Sequence, residues 1–300
     1  DQRMSRGLGD VYKRQELTGL FIEYGPTVQI RGTGSRVWRD GKRRRGPYYD
    51  GPVAIMIDRL SASASEIFAG ALQDYGRAIV VGDRSVGKGT VQTLLDMPEG
   101  QLKITESKFY RISGDSTQHR GVIPDISYPS LLQHDEIGES SLDKALDWDR
   151  IAPVRHKDYG VVDAILPTLV AKHTERANSD PDFQYIWDQK ALSEKVRGAE
   201  LLPLNEAERI AQRTSQEIQY LAIENTRRQA KGMNALASLD DLVDGDDDSS
   251  DMPQDNAEEP SATSEDTEAD KADALITETA RILADAINLS GPVMARADSR

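Results

Sequence analysis

Apolar residues fall into two patterns along this chain. Up to about residue 130 they form short runs, continuous or alternating; beyond it they recur at helical intervals. Val53–Ile57 is a continuous apolar run closed by Asp58, the pattern of a buried strand in a parallel sheet. Ser61–Tyr75 follows as a predicted helix, with Ile67, Phe68, Ala71 and Leu72 on one face and Gly76 as the stop. Ala78–Val81 is a second buried strand. Strand, helix and strand in so short a stretch predict a βαβ unit with a right-handed crossover. Around it, Thr27–Arg31 and Arg36–Trp38 alternate like strands about a turn at 32–35, and Thr90–Leu95 and Gln101–Tyr110 read as an antiparallel pair. Glu16–Tyr24 reads as the end of a helix or an edge strand.

Beyond about Leu131, Asp180-Pro181 is an N-cap with proline at the first helical position. Phe183, Ile186, Trp187, Ala191 and Val196 follow at helical spacing, and Gly198 closes the segment. Asn205–Lys231 predicts a longer helix with Ile210, Ser215, Ile218, Leu221 and Ala222 on one stripe and Gly232 as its cap. Residues 240–273 carry almost no large apolar side chains, cannot offset the entropy of ordering, and are expected to be a disordered acidic linker. Ala274–Leu289 resumes as an amphipathic helix through Leu275, Ile276, Ala280, Leu283 and Ile287. The predicted organisation is a truncated α/β core at 16–130, a helical domain at 131–239, the linker at 240–273 and a C-terminal helix and tail at 274–300. Residues 1–15 are set aside. Ser5–Gln15 back-translates codon by codon into a common sequencing-library adapter, so Glu16 is expected to be a read end with native sequence upstream.

Charge sharpens this division. The net charge is −14, and residues 240–273, with 15 acidic side chains and one base, Lys271, carry the same −14. The remainder is neutral, which argues against a nucleic-acid binder by bulk charge. With no cysteine there is no disulfide framework, thiolate metal site or thiol nucleophile. No apolar stretch approaches the about 20 residues of a membrane helix, so no transmembrane segment is expected.

Candidate chemistry is concentrated between Asp58 and Gln92. Ser61, Ser63 and Ser65 stand where a strand hands over to a helix, and there the helix N-terminus offers free N–H groups and positive potential. A nucleophile and half an oxyanion site can be built there together, although at least two of the three serines are expected to be simple caps. Lys88 sits in the glycine-bearing loop Gly82–Thr90, where a solvated surface lysine is the plainer reading. The same loop resembles a phosphate-binding loop, but Gly89 occupies the position that needs a hydroxyl, and Thr90–Leu95 alternates like a strand where a helix is required. Asp58, Glu66 and Asp74 read as structural caps and ion-pair partners of Arg59 or Arg77. His119, His134, His156 and His173 have no metal-ligand spacing, and surface positions are expected for most. Neither metal nor cofactor is implied.

Asp58–Phe68, Gln73–Gly76, Gly87–Gln92 and Lys108–Arg111, followed by Ser116–Asp125, resemble the carboxy-terminal processing peptidases, in particular the periplasmic tail-specific proteases. The resemblance implies a crotonase/Clp-protease-like α/β core with added strands, followed by a helical C-terminal region. It places the nucleophile at Ser63, the general base at Lys88, and the residue orienting that lysine at Gln92. The backbone N–H of Ala64 becomes the oxyanion donor on this side; the second donor, from a glycine further upstream, is not in this chain. The expected activity is endoproteolysis by a Ser–Lys dyad, the expected partners are unfolded or misfolded proteins with apolar C-termini and an adaptor protein, and the expected location is the periplasm, with a PDZ-like domain upstream. The alternative is a catalytically silent binding or scaffolding remnant of the same fold.

A lysine can take the serine proton only as the neutral amine. Unperturbed lysine titrates near about 10.4, so work near neutral pH calls for burial. In an extended segment, residues 88, 90 and 92 face the same way, so the Gln92 amide oxygen can accept from the lysine and aim its lone pair at Ser63.

Overall fold

A computed structural model describes residues 16–242 and 265–290, apart from 33, 35, 44, 134, 135, 199 and 200. The expectation for residues 1–15, and that of disorder for 243–264, lie outside these residues. The chain divides into two units. One runs to Lys172 and resumes at Thr279; the other is His173–Glu278.

In the first unit a helical turn at 16–19 (α1) leads to β1 (Gly25–Gly32), which pairs antiparallel with β2 (Val37–Lys42). Lys42 opens the basic run 42–45, yet it does not behave as a solvated side chain. Its ammonium donates to the carbonyls of Gly19, Ile22 and Gly46 and so ties down the end of α1. β3 (Ala54–Ile57), α2 (Ala64–Asp74) and β4 (Ile79–Gly82) form the expected βαβ unit, with Ala54 opposite Ile79 and Ile57 opposite Gly82 in parallel register. β7 (Ile126–Ser127) adds a third parallel strand beside β4. β5 (Thr90–Asp96) and β6 (Gln101–Tyr110) form the expected antiparallel hairpin, in a second sheet ordered β2-β1-β6-β5.

α2 is buried more widely than a single apolar face allows. Ala69 and Leu72 join Ile55, Ile57 and Val80 in the core of the parallel sheet, while Ile67 packs with Val28 and Phe109 of the antiparallel sheet. A helix held between two sheets needs apolar or small residues on both sides, and the Ala-Gly-Ala run 69–71 supplies them. Gly76, at φ +60°, ends it in the left-handed conformation.

In the second unit Asp180 caps α4 (Pro181–Arg197) by accepting from the N–H groups of Asp182 and Phe183. Its buried residues are Phe183, Tyr185, Ile186, Gln189 and Leu192, so Ala191 drops out of the expected stripe. Asn205, the first residue of the expected helix, caps α5 (Glu206–Ala230) by accepting from Glu208 N. The apolar stripe expected on α5 is not its buried one: Ile210 and Ile218 are 59% and 61% exposed, and the buried residues are Glu224 and Arg227. The reason is charge pairing. Arg227 donates to Asp182 Oδ1 at 2.6 Å, lies against Glu224, and stacks over Tyr185. Removing one member of such a buried set leaves the others uncompensated, so Arg227→Ala is expected to cost about 3–5 kcal/mol, read by denaturant unfolding of the whole chain.

The acidic run is ordered at both of its described ends. Asp241 accepts from the N–H groups of Ala237 and Ser238 beside a 3₁₀ turn at Asp240–Leu242. α6 (Glu265–Ser290) begins well before Ala274, which corrects the expectation of disorder up to 273; an acidic sequence suits a helix N-terminus. In its part belonging to the first unit, Ile282 and Ala286 are buried while Ala280 and Ile287 are exposed, because Thr279 bonds Tyr128 and fixes the rotation. Among the described residues no helix is long and apolar enough to cross a membrane.

Candidate active site

Ser63 occupies the turn between β3 and α2, immediately before the first helical residue. Its φ of 55° and ψ of −107° lie in a region that residues with side chains avoid, at a cost of order 1–3 kcal/mol. The turn is built by its neighbours. Asp58 Oδ1 accepts from Leu60 N at 3.0 Å and from Ser61 Oγ at 2.8 Å, and Ser61 Oγ accepts from Asp58 N at 3.1 Å. Ser61 and Asp58 therefore close a loop and hold Ser63 above it. Ala64 N–H, at the first helical position, has no acceptor among the described residues, as expected of a helix N-terminus.

Glu66 joins this turn to the Lys88 loop. It is fully buried. Its Oε2 accepts from Ser63 N at 2.7 Å and Lys88 N at 3.0 Å, and its Oε1 accepts from Ser85 Oγ at 2.6 Å and Gly87 N at 2.7 Å. The backbones of Ser63 and Lys88 thus meet at one carboxylate oxygen. Burial pushes the Glu66 carboxyl up to about 7, while the four donated hydrogen bonds pull it down. Val86 N–H adds a direct tie to Ser61 O at 2.9 Å.

The glycines on either side of Lys88 are needed for close approach. Gly87 has φ +86° and a Cβ there would come within 2.8 Å of His119 C; at Gly89 it would meet Gln118 N at 2.7 Å. Lys88 is half-buried, and its Nζ has no hydrogen-bond or ion-pair partner among the described residues. The loop then enters β5 and not a helix, so it lacks the helix N-terminus that phosphate binding needs.

Gln92 stands on β5 opposite Thr105, beside a register irregularity between Val91 and Gln92. It is exposed, and among the described residues no hydrogen bond joins it to Lys88 or Ser63. It lines a cavity of about 410 Å³ together with Thr90, Thr105, Glu139 and Leu142.

The carboxylates find partners other than Arg59 and Arg77. Asp74 pairs with Arg111 and accepts from Ser113 N, and Glu66 holds backbone N–H groups. Arg59 donates to the carbonyls of Arg84 and Ser85 from full burial, and Arg77 to those of Phe21, Tyr49 and Gly51. Both arginines face segments rich in unpaired carbonyls, which a guanidinium's several donors satisfy. The histidines are also less exposed than expected. His173 is buried against Glu278, and His156, half-buried, contacts Val154 O and Asp74 O; His119 is half-buried at φ +62°, and His134 lies outside the described residues. Among the described residues no acidic or histidine cluster could hold a metal ion.

The pattern described as peptidase family S41 matches residues 1–128, and that described as the C-terminal domain of tail specific protease (DUF3340) matches residues 132–288. The tail-specific protease of Haemophilus influenzae is 37% identical over 248 residues, covering 79% of this chain and 36% of that protein. The carboxy-terminal-processing protease of Bartonella bacilliformis is 39% identical over 128 residues, covering 42% of this chain and 29% of that protein. Among solved structures, the photosystem II D1 C-terminal processing protease aligns with a TM-score of 0.36 and 26% identity, covering 44% of this chain and 34% of that one. The chain thus spans about a third of the length of the curated relatives it matches. With the C-terminal domain matched over more than half of its residues, and a peptidase S41 match directly before it, this chain belongs to the tail-specific protease family.

Proposed function

We propose that this chain carries the catalytic dyad and C-terminal domain of a serine endopeptidase that acts on proteins recognised by their C-terminal tails. The observation that supports it best is the shared Glu66 oxygen, which brings the backbones of Ser63 and Lys88 together at a strained turn heading a helix. In this reading the neutral Lys88 amine takes the Ser63 proton as Oγ attacks the substrate carbonyl carbon. The oxyanion that forms is met by Ala64 N–H, and the leaving amine takes the proton from the Lys88 ammonium. Water, deprotonated by the same amine, then hydrolyses the acyl-enzyme. Gln92 orients Lys88 once substrate covers the edge of β5. A crotonase/Clp-protease-like core, a tail-binding domain upstream, an adaptor and export to the periplasm complete the proposal on the strength of the resemblance.

A fluorophosphonate probe tests the nucleophile without any knowledge of substrate. In the full-length protein the covalent mass shift is expected on the peptide containing Ser63. It should vanish in Ser63→Ala and persist in Ser65→Ala. Labelling of Ser61 or Ser65 in place of Ser63, or none in a folded protein that cleaves, overturns the assignment.

A further inference from the structure

Gln118 has no place in the chemistry above, yet it is fully buried and touches the Lys88 loop. Its Oε1 accepts from Gly89 N at 2.9 Å, one residue after Lys88. Its Nε2 donates to Glu139 Oε1 at 3.0 Å. Glu139 is tied back to the same loop, since its own N–H donates to Val86 O at 3.0 Å. Gly138, before it, has φ +131°, and a Cβ there would come within 2.9 Å of Val86 O. All these residues belong to the first unit. Glu139 nevertheless lies within the stretch matched as the C-terminal domain, whereas Gly89 and Gln118 lie within the peptidase match.

An amide side chain can present either its oxygen or its nitrogen to a neighbour. Gly89 N–H needs the oxygen. An acceptor on the far side of Gln118 holds the amide in that orientation from its other end, and Glu139 is that acceptor. We infer that Glu139 is a positioning residue for the catalytic base: through Gln118 it holds the loop Gly87–Gly89, so that the C-terminal domain's first turn completes the protease site. This rests on the assignment of Lys88 as the base. It also gives a reason for the two matched regions to meet here. A protease domain without residues 138–142 has Gln118 free to turn, and the loop that carries Lys88 loses its outer support.

The test is steady-state cleavage of an unstructured reporter protein by the full-length enzyme. Glu139→Lys places a donor against Nε2, turns the amide, and sets nitrogen against Gly89 N–H. It is expected to lower kcat about 10–100-fold, the size of effect that follows from a small displacement of a reacting group, with KM little changed. Glu139→Gln still offers an oxygen and is expected to stay near the parent. A second pair removes any dependence on folding of the first variant. Gln118→Glu keeps an acceptor for Gly89 but sets two carboxylates face to face, so activity falls. Adding Glu139→Gln to it supplies an amide donor, so activity returns. Unchanged kcat in Glu139→Lys, or a double variant no better than Gln118→Glu alone, overturns the inference. Ser63→Ala, run alongside, keeps the two readings apart: cleavage that survives it defeats the dyad itself, whereas its loss with Glu139→Lys unaffected defeats the positioning role alone.

Discussion

Lys88→Arg is expected to abolish cleavage at every accessible pH, and Ser63→Ala and Lys88→Ala to lower kcat by about 10⁴–10⁶-fold, the loss that follows removal of a nucleophile or its base. Arginine keeps the positive charge and much of the length of lysine, so a role in attracting substrate or in packing survives the change. The ability to lose a proton does not survive it, because guanidinium stays protonated throughout the range in which proteins fold. The pair Lys88→Ala and Lys88→Arg therefore separates a base from a binding cation: both are inactive in the first case, and arginine retains activity in the second. The absence of any partner for Nζ among the described residues fits a base left ready to take the Ser63 proton. An active Lys88→Arg variant would move the base elsewhere, and His119, which borders Gly87 in the same loop contact, would be tested next. The readout is kcat/KM for an unfolded protein with an apolar C-terminus across the pH range, with the circular-dichroism melt confirming that each variant is folded.

How much of this was legible depends on how local each determinant is. The βαβ unit follows from two continuous apolar runs and a capped helix, all within one short segment. The Asp180 cap is a single-residue signal, legible at its own position. α3 (Val161–Ser179) gave no such signal: Pro167 stands inside it and reads as a break, although the helix runs through it. The stripe on α5 differs from the expected one for another reason. Apolar periodicity assumes that hydrophobic residues are the buried ones, and it fails where Arg227, Glu224 and Asp182 satisfy each other. In the site, the three residues that the resemblance assigns stand on a turn, a loop and a strand. What the sequence concealed is the connection among them. Ser63-x-x-Glu66 is a capping-box spacing, and that signal identifies the Glu66-to-Ser63 bond. That the same carboxylate also reaches Ser85, Gly87 and Lys88 depends on the crossover returning β4 beside β3, and no local pattern encodes it.

That shared carboxylate should give the protein two opposed pH dependences. Between the ordinary carboxyl value of 4.5 and about 7, the folded chain holds a proton on Glu66 that the unfolded chain has released. Stability therefore falls as pH rises through this window, by roughly 3–4 kcal/mol at most, given about 1.4 kcal/mol per unit. Activity should move the other way. Four donors converge on two oxygens, and a proton on either oxygen sets an O–H against an N–H or a hydroxyl. One contact then opens, and the backbones of Ser63 and Lys88 lose their common anchor. Glu66→Gln imposes that conflict permanently, since its amide nitrogen replaces one acceptor with a donor. It is expected to lower kcat about 100-fold. It should also remove the part of the activity rise centred near 7, and flatten the decline in melting temperature over the same window. Any rising limb left in Glu66→Gln belongs to another group, Lys88 first. Parallel pH profiles of activity and melting in the parent and in Glu66→Gln would sink this account, because they would mean that Glu66 does not change its charge while holding the site.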